Sequence, residues 1–388
     1  MPGEAAGGGL AVVDKYYQDY GCRARELRKQ GKRIMGYLCA FVPVEMLTAA
    51  GFIPFRIKGD VNEPITKADT EMETIVCPLV RSCFDMALKG NYEFLDGIVI
   101  PHACDSICRT YDVWKYSLNL PYSHLINMPH GTGKPSLDFY QALLGTFRTS
   151  LGKFAGREIS DQSLIQATRL HNQNRAKVRE LYELRKASPP LISGTEVAKV
   201  LIAAVSIPVE ESIKMLGDVI EEVRQRGSVP AQKSARIMVV GAQVDSVAFI
   251  ELIEDSGAWV VADDLCPGAR EFFSDVTVTT DPIDGIAERY LRKVKCGRTY
   301  REMEGNYEEY LEDRFGHMSR MIEDFNVDGV VLYIYKYCDP FGFEVPQIKS
   351  YIESKGTPVL YLEDEYSMST IGRLRTRIQA FLELLGSK

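Results

Sequence analysis

The placement of cysteine carries most of the chemical information in this sequence. Six of the nine cysteines end or follow short apolar segments, predicted to be buried strands or the loops behind them, three in each half of the chain. They are Cys39, Cys77 and Cys104 in the first half and Cys266, Cys296 and Cys338 in the second. None belongs to a CxxC pair. This distribution favours an iron-sulfur site assembled by tertiary folding over a local zinc finger.

The other three cysteines compete with this assignment. Cys22 lies on a charged helical segment, and no role is assigned to it. Cys83 and Cys108 lie one or two helical turns after Cys77 and Cys104, so each is an alternative ligand or a helix-packing residue. A free cysteine also behaves as a small buried hydrophobe, so core packing is the competing interpretation for every position.

Candidate proton donors are few because the chain has only five histidines. Glu45 follows Pro43 in the first turn of a predicted helix. That helix is expected to point at the cleft where the six cysteines gather, so Glu45 would donate a proton there or interact favourably with the helix dipole. His102 and His130 lie near predicted strand ends and are further donors, with a structural role as the alternative.

Four charged residues adjoin the proposed ligands. Asp105 and Asp339 each follow a cysteine, where they would tune a cluster or cap the next helix. Arg81 and Lys336 would offset cluster charge or bind an anion, or they would be solvated surface residues.

The elements that position these residues alternate between short apolar strands and helices, which predicts parallel sheets covered on both faces. Residues 11–32 are predicted as one amphipathic helix, and long helical periodicity covers 162–184 and 193–204. The predicted strands lie at 33–38, 52–57, 97–100, 124–127, 235–241, 259–262, 329–332 and 358–362. The predicted fold is α/β, with two flavodoxin-like (Rossmann-like) parallel-sheet lobes facing a cleft and a helical segment between them. The predicted divisions are 1–136, the N-terminal helix and first lobe; 137–232, the helical segment; and 233–388, the second lobe.

Composition narrows the function classes. The chain has 388 residues, 45% of them hydrophobic, and a net charge of −7, so a large core is expected and a nucleic-acid partner is not. No apolar run is long enough for a membrane span, and residues 1–9 lack the features of a signal peptide. A cytoplasmic location with reduced thiols is therefore expected.

No segment has the full pattern of a nucleotide-binding loop. The segment 131–134 reads Gly-Thr-Gly-Lys but lacks the rest of the P-loop sequence. Any nucleotide hydrolysis is therefore expected on a separate partner.

Several motifs together resemble the 2-hydroxyacyl-CoA dehydratase and benzoyl-CoA reductase superfamily, in order and over nearly the whole chain. They are the segments at 36–45, 77–82, 104–105, 336–340 and 376–381. The resemblance implies one [4Fe-4S] cluster on Cys77, Cys104 and Cys338. It also implies anaerobic chemistry with low-potential electrons from an ATP-hydrolysing activator protein that carries its own [4Fe-4S] cluster.

The second set of cysteines resembles one branch of that superfamily, the double-cubane cluster proteins. In that branch each subunit of a homodimer carries an [8Fe-9S] centre of two cubanes joined by a sulfide. The resemblance thus implies six ligands here, Cys39, Cys77, Cys104, Cys266, Cys296 and Cys338. Three functions stay open: a reductase of a small substrate, a single-cluster dehydratase or benzoyl-CoA reductase subunit, and a noncatalytic electron-storage or cluster-carrier protein.

Overall fold

The computed structural model describes residues 8–227, 233–303 and 305–386, and these residues form two four-stranded parallel sheets. The strands are β1 (Arg33–Tyr37), β2 (Phe52–Arg56), β3 (Gly97–Pro101), β4 (Ser123–Ile126), β5 (Ala235–Gln243), β6 (Ala258–Cys266), β7 (Gly329–Tyr335) and β8 (Val359–Asp364). The α/β prediction and all eight predicted strands are confirmed.

Helices cover the sheets and connect the strands. They are α1 (Gly9–Gln18), α2 (Cys22–Lys29), α3 (Val44–Ala49), α4 (Pro78–Leu88), α5 (Asp105–Ser117), α6 (Lys134–Ala155), α7 (Asp161–Glu183), α8 (Gly194–Ala204), α9 (Val209–Arg226), α10 (Val247–Asp255), α11 (Ala269–Phe272), α12 (Pro282–Glu288), α13 (Tyr307–Asp324), α14 (Asp339–Ser354) and α15 (Ile371–Gly386). Two 3₁₀ turns (Ala68–Thr70 and Met368–Thr370) and a π-helical turn (Arg289–Lys293) complete the set.

The two sheets share one topology. The strand orders are β2-β1-β3-β4 and β6-β5-β7-β8, and every pairing is parallel. The chain reverses its direction of winding between β1 and β3 in the first sheet and between β5 and β7 in the second. In such open sheets ligands bind beyond the carboxyl ends of the strands at this switch point. Residues after β1, β3, β5 and β7 are therefore the first candidates for a site.

Strands β6 and β7 form because they are buried on both faces, although β6 is an edge strand of its sheet. All of β6 and β7 is buried, and both read as nearly continuous apolar runs, as expected for parallel strands under helices. Charged residues within them, such as Asp263 and Asp264 of β6, each have a buried arginine partner.

The N-terminal helix prediction is wrong in one respect. Residues 11–32 contain two helices, α1 and α2, because Gly21 has φ 93° and ends the helical path. α1 then packs against α8 and α9 rather than against the first sheet.

The long helical patterns between the sheets are present as α7 and α8. The division boundaries stay predictions, and residues 1–7, 228–232 and 387–388 of those divisions lie outside the described residues.

Among the helices that the structure describes, none has the length and apolarity that a membrane crossing requires.

Candidate metal centre

The six predicted cysteine ligands all line one cavity where the two sheets' carboxyl ends meet. The empty space between its lining atoms is about 710 Å³, including the part that opens to solvent. Its other walls are mostly apolar, with Leu38 and Phe41 from the first lobe and Phe341 from the second. The fold thus brings together thiols that are up to 299 positions apart in the chain, from Cys39 to Cys338.

Three of these thiols, the helix-cap trio, share a local setting: Cys77, Cys104 and Cys338 are the N-cap residues of α4, α5 and α14. The nearby first-turn N–H groups favour ionisation and lower the thiol pKa: those of Leu79 and Val80 act on Cys77, that of Ile107 on Cys104 and that of Phe341 on Cys338. None of the three sulfurs accepts a capping hydrogen bond. The positive end of a helix dipole and its free N–H groups favour a thiolate. The helix ends thus offset part of the effect of burial, which raises the pKa of Cys77 to about 11 and that of Cys104 to about 12.

The other three thiols, the loop trio, are held without helix caps: Cys39, Cys266 and Cys296. Cys39 follows β1 in the left-handed region, with φ 71° and a donor from the Phe41 N–H. Cys266 ends β6, and Arg270 Nη1 lies 3.6 Å from its sulfur. Cys296 follows the π-helical turn, in a loop that packs on the start of α14.

Electrostatic effects show which sulfurs are neighbours. Burial raises the pKa of Cys338 well above its usual value, and the nearby Cys77 and Cys104 add to the effect. Burial also raises the pKa of Cys266 to about 12; Arg270 opposes this rise, while Cys39 and Cys296 strengthen it. The coupling also crosses between the trios, since Cys296 acts on Cys338 and Cys39 acts on Cys104. The six thiols therefore form one electrostatic group, and a cation or a metal must compensate them if they ionise together.

Positively charged and amide donors face the same cavity. Arg270, Arg298 and Gln243 line it. The Nε and Nη1 atoms of Arg298 and the Nε2 atom of Gln243 are buried and have no hydrogen-bond partner among the described residues. Buried donors without partners cost about 1–3 kcal/mol each unless something accepts from them. An anionic group with acceptor atoms, such as the sulfides of an iron-sulfur cluster, satisfies this requirement.

The geometry also distinguishes a cluster from a single ion. Among the described residues, no three His, Cys, Asp or Glu side chains converge closely enough to hold one metal ion. A cubane binds each thiolate through a different iron atom, so its ligands surround a volume rather than a point. Six thiols that line one mostly apolar cavity, with unpaired donors in the same lining, fit the ligand requirements of a cluster.

The remaining three cysteines differ in whether they line the cavity. Cys83 is completely buried in α4 and also lines the cavity, so it is a seventh thiol within reach of the site. Cys108 does not line the cavity and is only partly buried on α5. Cys22 is the first residue of α2 and does not line the cavity either.

Glu45 is placed outside the cavity, in a buried ion pair. Arg175 of α7 pairs with its Oε1, and the Tyr290 hydroxyl donates to its Oε2 over 2.9 Å. Burial opposes ionisation of Glu45, but the positive charge of Arg175, helped by His171 and Arg289, outweighs it and lowers the pKa to about 2. This carboxylate therefore carries no proton at neutral pH and ties α3 to α7.

The two histidines lie beside the cavity rather than in its wall. His102 Nδ1 is 2.8 Å from Asn127 Oδ1, and its ring meets that of His130 edge to face. His130 Nδ1 is 2.9 Å from the Arg298 carbonyl oxygen, and burial lowers the pKa of His130. Both rings are thus linked to the segment that carries Cys296.

The four charged neighbours of the ligands have modest roles in this structure. Asp105 and Asp339 are the first residues of α5 and α14, whereas the cysteine before each is the N-cap. Arg81 pairs with Asp69, and Lys336 pairs with Glu365, and neither cation lines the cavity.

Sequence reasoning missed the polar residues that accompany the thiols. Arg270 follows Cys266 by four positions, and Arg298 follows Cys296 by two. That proximity was the available signal, but a flanking arginine is usually a solvated one. Gln243 gave no signal, because only the pairing of β5 with β6 brings it to the end of the sheet.

Comparison with known proteins identifies the family of the chain. The family model described as "2-hydroxyglutaryl-CoA dehydratase, D-component" matches residues 39–385, which include all six cysteines. The protein YjiM of Escherichia coli (strain K12) is 27% identical over 93% of both chains. The (R)-phenyllactyl-CoA dehydratase beta subunit of Clostridium sporogenes is 24% identical over 93% of this chain and 94% of its own. A benzoyl-CoA reductase subunit of Thauera aromatica is 25% identical, covering 93% of this chain and 95% of its own. The chain therefore belongs to the 2-hydroxyglutaryl-CoA dehydratase D-component family.

Proposed function

We propose that this protein is an iron-sulfur reductase that accepts low-potential electrons from an ATP-hydrolysing activator protein and reduces a small substrate at a double-cubane [8Fe-9S] cluster. The observation that carries the proposal is the single cavity lined by both cysteine trios and by unpaired donors. Three thiolates and one bridging sulfide supply the four ligands that each cubane needs. When bound, such a group supplies strongly reducing electrons one at a time.

The chain's own residues hold and insulate that chemistry. The helix-cap trio provides sulfurs that backbone N–H groups already stabilise, and the loop trio provides sulfurs beside Arg270 and Arg298. The apolar walls, including Leu79, Ile107 and Phe341, limit water around the thiolates. A lower local dielectric strengthens each of these electrostatic interactions.

Transfer of electrons requires a second protein. The activator is proposed rather than a nucleotide site on this chain, because the sequence has no complete phosphate-binding loop. The relatives named above include subunits of dehydratase and reductase systems, which supports assembly with other chains. We propose a homodimer, in which each copy holds its own six cysteines.

A second candidate function is a subunit of a 2-hydroxyacyl-CoA dehydratase or benzoyl-CoA reductase with one [4Fe-4S] cluster on the helix-cap trio. The names and full-length similarity of the relatives favour it. Under this alternative the loop trio is core packing. The two candidates therefore differ in what Cys39, Cys266 and Cys296 bind.

The test is activator-driven reduction under anoxic conditions. Purified protein is mixed with catalytic amounts of an activator of this family, ATP and a low-potential donor, and candidate small substrates are added. The proposal expects continuous, ATP-dependent substrate consumption when this chain and the activator are the only proteins present. Consumption only of 2-hydroxyacyl-CoA substrates with a nonidentical second subunit would favour the second candidate. Reduction that stops after stoichiometric electron uptake would contradict both and indicate an electron carrier.

A further inference from the structure

Arg298 is a buried cation without a carboxylate partner. Its exposed fraction is 5%, and among the described residues it forms no ion pair with Asp or Glu. Its Nη2 atom donates to the carbonyl oxygen of Pro129 over 2.9 Å and to that of His102 over 3.4 Å. Two carbonyl groups do not neutralise a guanidinium. A buried charge left without a counter-ion costs several kcal/mol, so a fold retains one where an anion joins it.

The unused side of Arg298 belongs to the cysteine cavity. Nε and Nη1 are its two unpartnered nitrogens, and the residue lines the cavity beside Phe41, whose ring centroid is 5.1 Å from the guanidinium carbon. The thiols of Cys296, Cys39 and Cys104 line the same cavity. These sulfurs come from both trios. Arg298 therefore lies where one cation acts on both sets of thiolates.

Gln243 provides a second donor whose orientation is fixed. Its Oε1 accepts from Arg56 Nη2 over 3.0 Å, and Arg56 is held by an ion pair with Glu271. An arginine only donates, so the amide oxygen must face Arg56 and the amide nitrogen must face away. That Nε2 group is buried and unpartnered, and Gln243 lines the cavity.

We propose that Arg298 and Gln243 act as positioning residues that donate hydrogen bonds to an anionic iron-sulfur group in the cavity and raise its reduction potential. The inference rests on the proposed function, because it requires a cluster held by the cysteines. Hydrogen bonds to cluster sulfurs and nearby positive charge stabilise the reduced, more negative state. Their removal makes the centre harder to reduce.

The experiment compares midpoint potentials of anaerobically purified full-length variants by EPR-monitored redox titration. Arg298→Gln removes the charge, and Arg298→Lys keeps the charge but loses the planar set of donors. Gln243→Glu keeps the acceptor for Arg56 and replaces the Nε2 donor. We expect Arg298→Gln and Gln243→Glu each to decrease the reduced-to-oxidised ratio at a fixed potential at least tenfold. For one electron this corresponds to a midpoint potential lower by about 59 mV. Arg298→Lys should change it less.

The matched control is Arg185→Gln, which removes an equally buried arginine that pairs with Asp263 and does not line the cavity. It should leave the potential unchanged even if it lowers stability. A variant of Arg298 or Gln243 that folds but takes up no iron, while Arg185→Gln loads normally, supports the same role. An unchanged potential in loaded Arg298→Gln and Gln243→Glu overturns the inference. Wild-type protein without iron instead overturns the proposed function.

Discussion

The helix-cap trio and the loop trio occupy the same cavity but differ in how their thiols are stabilised. The sulfurs of the helix-cap trio lie at the N-termini of α4, α5 and α14, where first-turn N–H groups, which are local main-chain features, lower the thiol pKa. The loop trio relies on side chains from distant parts of the chain, chiefly Arg270 and Arg298. Main-chain donors persist whenever the helix forms, whereas side-chain cations require the completed tertiary structure. We therefore expect the loop trio to be the more easily disrupted metal site.

The largest expected effect comes from removing one trio at a time. Replacing Cys39, Cys266 and Cys296 together by serine should leave about four iron atoms per chain, bound by the helix-cap trio. The reciprocal variant replaces the helix-cap trio by serine. It should retain fewer than about four iron atoms per chain, because the surviving loop-trio ligands lack helix caps. Iron and sulfide analysis under anoxic conditions measures both. Full iron retention in the loop-trio variant would mean that these cysteines are not ligands.

The next effect concerns the buried ion pair between Glu45 and Arg175. Glu45→Gln leaves Arg175 buried without its carboxylate, so the free energy of unfolding should fall by about 3–5 kcal/mol. Denaturant titration measures it. The control is Asp69→Asn near Cys77, whose pair with Arg81 is partly exposed and should contribute less than about 1 kcal/mol. Equal losses in the two variants would contradict the larger contribution expected of the buried pair.

The same carboxylate predicts a pH dependence. The pKa of Glu45 in the folded protein is about 2, below its ordinary value of 4.5. A depressed pKa gives stability that is complete above the unfolded value and is lost as the pH falls through the folded value. Stability should thus decrease between about pH 4.5 and pH 2 in the wild type. The slope over that interval should be shallower in Glu45→Gln, and identical slopes would show that Glu45 is not the responsible group.

A smaller effect is expected at Gly297, between Cys296 and Arg298. A Cβ atom there would lie 2.8 Å from the Pro340 carbonyl oxygen, so the loop must move away from the start of α14. Gly297→Ala should cost about 1–3 kcal/mol and lower the iron content of the loop trio. The control is Gly342→Ala, where a Cβ meets nothing within 4 Å. Iron loss in the control alone would argue against this packing.

The smallest effect is expected at Cys108, which does not line the cavity. Cys108→Ser should change neither iron content nor the free energy of unfolding by more than about 0.5 kcal/mol. Cys83→Ser is the informative comparison, since that thiol is completely buried and does line the cavity. A loss of iron in Cys83→Ser would show that the ligand set departs from the two trios.

The sequence predicted those parts of the molecule that depend on local pattern. All eight strands were predictable because each is a short apolar run bounded by turn residues. The strand-end rule predicted where the cysteines gather, but the segment before Cys77 is not a strand, and Cys296 follows the π-helical turn. The ligand assignment stays a prediction, although the fold brings all six thiols to one cavity. The break at Gly21 was missed because helical periodicity continues across it.

The polar residues of the site were beyond sequence reasoning for a physical reason. The role of Gln243 depends on Arg56 and on the register of β5 against β6, and the ion pair of Glu45 depends on α7. Such nonlocal contacts leave no periodicity or spacing in the chain. The starts of α4 and α14 have a local signal, in contrast, because a proline lies in the first turn of each helix. The sequence nevertheless offered Asp105 and Asp339 as caps, whereas the N-caps are Cys104 and Cys338.

The most direct test of the central claim is the iron and acid-labile sulfide content of the anaerobically purified wild-type chain. The account predicts about eight iron and nine sulfide per chain, with all six cysteines as ligands. About four of each would reduce the site to the helix-cap trio and favour the single-cluster alternative. Zinc, or no metal in carefully anoxic preparations, would contradict the iron-sulfur assignment altogether.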